Sequence, residues 1–175
     1  MVKVHRQYRN MHLTIGLLCW GLLSTLFGCA SLLALERNAS VTAPPRCPTT
    51  APNESTPPGE DPSKRGYHGN EALWTDLSWP EGKIVFRPGG VGRVLPDGSL
   101  SIKFPWWRGV RGKLALEGRR LDAPAPQLRS NVPEGYGDIG FQATALIFPT
   151  EGCWEVTGRV GDSVLTFVVL VSKET

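Results

Sequence analysis

After residue 66 the chain is a series of short runs in which apolar and polar residues alternate, each broken by Gly, Pro, Asn or Asp after about ten residues. The spacing predicts strands over 72–77, 83–87, 92–95, 99–104, 112–118, 140–148, 153–160 and 164–172. No apolar period of helical length is sustained after Glu36. Trp154, Val156 and Val160 fall on one face of their run and Glu155, Thr157 and Arg159 on the other, which predicts a strand with one buried face. VLTFVVLV is apolar on both faces and predicts a central or well-covered strand. Asp97-Gly98 and Gly161-Asp162 supply the positive-φ positions of tight hairpins. The expectation is an all-β domain, an antiparallel β-sandwich.

Two segments precede it with different patterns. Residues 13–35 carry no charge, and at a helical rise they span about 30 Å, the thickness of a bilayer core. Residues 41–63 hold seven prolines and almost no large apolar side chain, the composition of an extended, disordered linker. The predicted organisation is a leader or membrane anchor over 1–35, a Pro-rich linker over 36–66 and the sandwich over 67–175.

Charge sharpens the address. Lys3, Arg6 and Arg9 precede the apolar run with no acid among them, and the rest of the chain is balanced at sixteen basic and sixteen acidic residues. The formal +3 therefore belongs to the leader and does not point to nucleic acid. A basic start feeding an apolar run is an export signal, and the positive-inside bias places everything after Glu36 outside the cytoplasm. Within the domain, Lys83 to Arg120 holds nine basic residues against Asp97 and Glu117. This is either a surface for an anionic partner or a set of outward strand positions that happen to be basic.

Leu26, Phe27, Gly28 and Cys29 resemble the lipobox of bacterial lipoproteins, which implies cleavage before Cys29 and lipidation of that cysteine. The lipobox prefers a small residue where Phe27 stands. The alternative is an uncleaved helix over 13–35, with the same topology. IFPTEGCWEVTGRV resembles the turn and strand at one corner of immunoglobulin-like domains, with Trp154 where those domains more often carry Tyr. CPTTAPNESTPPGE, YHGNEALW, VFRPGG, LPDGSLSIKFPWWRGVRG, LEGRRLDAPAP and GYGDIGFQATALIFPTEGCWEVTGRVGD are similar to a group of exported bacterial proteins without an assigned activity. That resemblance implies export and one compact domain, with no catalytic residues to carry over.

Outside the cytoplasm two thiols are more often bonded than free, so Cys47 and Cys153 form the candidate disulfide, with two unpaired thiols as the alternative. Catalytic patterns are sparse. His68 is the single histidine after the leader and has no neighbouring nucleophile motif. Zinc-ligand spacing is absent, and Glu134 and Asp138 in PEGYGDIG lack calcium-loop spacing. RPGGVG lacks the Lys-Ser/Thr of a phosphate loop. No metal and no cofactor is expected.

The stretch with surface chemistry is FPWWRGVRGK. In an extended chain Trp106 and Trp107 point to opposite faces. With Arg108 and Arg111 they form a candidate binding patch for sugar, anionic polymer or a membrane headgroup layer. Otherwise one Trp fills the sandwich and the other covers its open edge. The function expected is a non-catalytic binding or accessory domain at the cell envelope. Its candidate partners are the membrane through the N-terminus and a cell-wall polymer, an anionic lipid or a protein. The alternatives are an envelope hydrolase using dispersed carboxylates or His68, and a structural subunit of a membrane assembly.

Overall fold

The computed structural model describes residues 46–174. The leader, its apolar run and Cys29 lie outside the described residues.

Ten strands follow in chain order: β1 (Tyr67–Gly69), β2 (Leu73–Asp76), β3 (Lys83–Phe86), β4 (Arg93–Val94), β5 (Leu100–Arg108), β6 (Ala115–Arg120), β7 (Arg129–Asn131), β8 (Gly140–Phe148), β9 (Gly152–Val160) and β10 (Ser163–Lys173). They form two sheets. One runs β1-β2-β5-β8-β7, antiparallel throughout, with β4 paired to β5 beyond the end of β2. The other runs β3-β10-β9-β6, antiparallel except that β3 lies parallel to β10. Consecutive strands β2 and β3 belong to different sheets, so the chain changes layer at Leu77–Gly82. The fold is an all-β, two-sheet sandwich.

Alternation places the core. Ile102, Phe104 and Trp106 on β5 and Leu146 and Phe148 on β8 face Trp154, Val156, Phe167 and Val169 on β9 and β10, all essentially without solvent contact. Phe104 and Phe167 stack across the layers at 5.4 Å, and Phe148 meets Trp154 edge-on at 5.7 Å. Each fully buried large side chain contributes roughly 1.5–3 kcal/mol relative to exposure. Both expected hairpin glycines take positive φ, Gly98 at 82° and Gly161 at 54°. The strand predicted as central, β10, lies between β3 and β9.

The linker expectation needs correction over residues 46–66, which are ordered and packed on the sandwich. Cys47 is bonded to Cys153 on β9, 106 residues away, with Cα atoms 5.4 Å apart. Past the stretch where β3 pairs, the free edge of β10 is taken by Thr50. Its N–H donates to the Val168 carbonyl and its hydroxyl accepts from the Val168 N–H, both at 2.9 Å. Asn53 bonds both backbone groups of Gly69, at 2.7 and 3.0 Å. An extended, proline-set backbone suits this role, because it lies along an exposed edge without needing to pair fully with it.

Candidate functional site

The outward face of the larger sheet carries an aromatic ladder that passes from buried to exposed. Trp107 pairs across strands with Trp74 on one side and Phe141 on the other. Its ring meets Tyr67 edge-on at 5.3 Å and Phe141 at 5.4 Å, and Phe141 meets Tyr136 at 6.2 Å. Residues 53–64 lie over the buried end. The Glu60 carboxylate accepts from the Tyr67 hydroxyl at 2.9 Å and from Trp107 Nε1 at 2.8 Å, and Ser55 accepts from Trp74 Nε1 at 3.0 Å. The Lys64 ammonium sits 4.8 Å from the Tyr67 ring centre.

At the exposed end, where the covering segment stops, Tyr136 is 39% and Phe141 47% exposed. Beside Tyr136 the sheet face forms a groove of about 640 Å³. Its floor is made of small side chains, Ser101 on β5 and Ala143 and Ala145 on β8. One wall is Val91 and Arg93 and the other Asn131, Pro133 and Tyr136, with Lys103 rising from the floor. The floor is low because Lys103 faces Ala145, and Pro105 faces Ala143, across the β5–β8 ladder. No carboxylate lines the groove. Among the described residues, neither Arg93 nor Lys103 lies within ion-pair distance of an acid.

This resolves the basic stretch of the sequence. Arg111, Lys113, Arg119 and Arg120 pair with Asp138, Glu134, Glu155 and Asp122. Lys83, Arg87, Arg93 and Lys103 have no acid within ion-pair distance among the described residues, and of these Arg93 and Lys103 belong to the groove.

The expected patch of Trp106, Trp107, Arg108 and Arg111 is not one surface. Trp106 points into the core and is 0% exposed. Trp107 points outward as the strand alternation predicts, but the 53–64 segment covers it, and the prolines gave no sign that this segment would fold back. Arg108 is buried at the end of β5, and Arg111 alone is exposed, paired with Asp138 at 2.8 Å. The groove residues went unnoticed in the sequence because Arg93, Lys103, Ala143, Ala145 and Tyr136 come from four separate segments. Their signal is outward small residues on β8 opposite a basic position on β5.

His68 Nδ1 is buried and has no hydrogen-bond partner among the described residues. Burial lowers its pKa, against an opposing bond with the Ala51 backbone, and so favours the neutral imidazole. Asp97 is the most perturbed acid. Hydrogen bonds from the Ser99 hydroxyl and backbone N–H, and from Arg129, lower its pKa to about 2. It closes the β4–β5 hairpin and lies outside the groove lining. Among the described residues no group of three or more His, Cys, Asp or Glu is placed to hold a metal, and no helix is long and apolar enough to cross a membrane. The chain matches no family model, no curated protein and no solved structure.

Proposed function

We propose that this protein is a non-catalytic binding module of the cell envelope, held outside the cytoplasm by its N-terminus, whose groove takes an acidic glycan. The observation that carries this reading is the pairing of two uncompensated cations, Arg93 and Lys103, with exposed Tyr136 around a floor of small residues, and with exposed Phe141 next to Tyr136. Aromatic rings stack on sugar faces, and lysine and arginine bind their carboxylates. A concave site on a sheet face suits a chain that lies in it. That concave shape is the ground for preferring an anionic glycan to an anionic lipid.

The connectivity supports an immunoglobulin-like reading of the sandwich. Strands β2 and β3 are consecutive yet lie in different sheets, β2 between β1 and β5 and β3 at the edge of its sheet, where it runs parallel to the last strand, β10. Trp154 donates from Nε1 to the Thr150 carbonyl at 3.0 Å, the corner bond that Tyr makes in such domains. Display outside the membrane rests on the basic leader and the uncharged run over 13–35, with either lipid on Cys29 or the run itself as the anchor.

The test is co-sedimentation of the full chain, extracted from membranes, with purified acidic cell-wall glycan. Salt-sensitive pelleting is expected, weakened about tenfold or more in an R93E/K103E variant, the scale of a lost charge-assisted hydrogen bond. Pelleting that the double variant leaves unchanged removes the groove from the function. Binding to anionic vesicles in place of glycan overturns the ligand class.

A further inference from the structure

A different site lies at the end of the sandwich, where residues 109–114 and 132–139 meet. Arg108 is the last residue of β5 and shares the inward face with Trp106. On β8 its partner is Gly140, while Trp106 faces Gln142, so Arg108 and Gln142 are diagonal neighbours on that face. Each is 5% exposed. The guanidinium donates to the carbonyls of Gly112, at 2.7 Å, and Gly137. Among the described residues it has no carboxylate partner, and its Nε–H has no acceptor. Gln142 donates to the Pro133 carbonyl at 3.0 Å, while its Oε1 accepts from nothing. One whole positive charge, one unused donor and one unused acceptor thus sit together out of water, an arrangement that is costly unless something completes it.

Both residues line a pocket of about 450 Å³, walled by Leu114, Val132 and Tyr136. Arg111–Asp138 at 2.8 Å and Lys113–Glu134 at 3.9 Å tie the two loops across it. All four side chains are at least 70% exposed, and pairs so exposed contribute little, so they close the mouth only weakly, while the Arg108 bonds to Gly112 and Gly137 hold the two loops beneath it.

We infer that this pocket binds a small carboxylate that carries a hydroxyl or ammonium donor on the neighbouring carbon. The carboxylate supplies the counter-charge and the acceptor that Arg108 lacks, and the donor satisfies Gln142 Oε1. Leu114 and Val132 suit a carbon skeleton, and Asp138 and Glu134 at the mouth disfavour a dianion such as phosphate. The pocket adjoins the groove through Pro133 and Tyr136, which line both, but Arg93 and Lys103 take no part in it.

The test follows the Arg108 Nε–Hε resonance and the melting temperature of the full-length protein in detergent. Lactate, acetate, phosphate and chloride are titrated at constant ionic strength. Lactate is expected to move the resonance saturably and to raise the melting temperature, acetate to do so about tenfold more weakly for want of the donor bond, and chloride not at all. Gln142→Leu brings lactate down to the acetate level. Gln142→Glu supplies an internal carboxylate, raises the melting temperature without ligand and abolishes the lactate shift. An Arg108 resonance unmoved by any carboxylate overturns the site and leaves a buried water as the missing partner. A response to chloride or phosphate equal to that of lactate overturns the ligand class. An unchanged response in R93E/K103E keeps this test independent of the groove.

Discussion

Trp106 shows how closely single residues are fitted. Its six-membered ring lies against Gly158 on the facing sheet, where an added Cβ would come within 2.4 Å of the indole. Gly158→Ala is therefore expected to cost about 1–3 kcal/mol through overpacking, and Trp106→Ala about 3–5 kcal/mol through the cavity it leaves. Urea unfolding measures both, and a cost below 1 kcal/mol for Trp106→Ala contradicts its place in the core. Asp97 makes a pH-dependent prediction. Its pKa is lowered from 3.8 to about 2, so its contribution to stability is complete above the unfolded value and is lost as the pH falls through about 2. Carboxyl NMR is expected to give a midpoint near 2. Asp97→Asn is expected to remove that part of the acid dependence, and a midpoint near 3.8 contradicts the Ser99 and Arg129 bonds.

Elements were legible where a pattern is local. Every strand predicted from alternation is present, and β8 has the predicted bounds, because one buried face writes itself into consecutive residues. The short strands β1 and β7 were missed, having three residues each and no room for a period. β5 runs on to Arg108, four residues past its predicted end, because cross-strand pairing with β8 holds Pro105 and both Trp residues in the sheet. The 46–66 segment was misread for a different reason. Its own composition cannot form a core, but the surface it covers, Tyr67, Trp74 and Trp107, offers an N–H or O–H from each ring, and Ser55 and Glu60 accept them. The Cys47–Cys153 bond holds the start of that segment to β9. For a closed loop of this length the chain-entropy estimate is about 4–5 kcal/mol. Cys47→Ser is expected to lower the melting temperature and to raise hydrogen exchange at Thr50 and Val168 before the rest of β10. An unchanged melting temperature contradicts a structural role for the bond.

At the scale of the whole molecule, a rigid sandwich presents two unlike features. The outward face of the larger sheet joins uncompensated cations to exposed rings, and the end of the sandwich encloses Arg108 with no acid beside it. Neither was legible as a site in the sequence, since each gathers residues from segments tens of positions apart. The basic stretch from Lys83 to Arg120 did hold members of both, but only the fold separates the cations already paired from those left available. The most direct test of the binding role is the affinity of the full chain for acidic cell-wall glycan as a function of salt, with R93E/K103E alongside. The expected result is binding that weakens as salt rises and drops about tenfold or more in the double variant. Salt-independent binding of equal strength in both proteins, or no binding in either, contradicts the groove as the functional site.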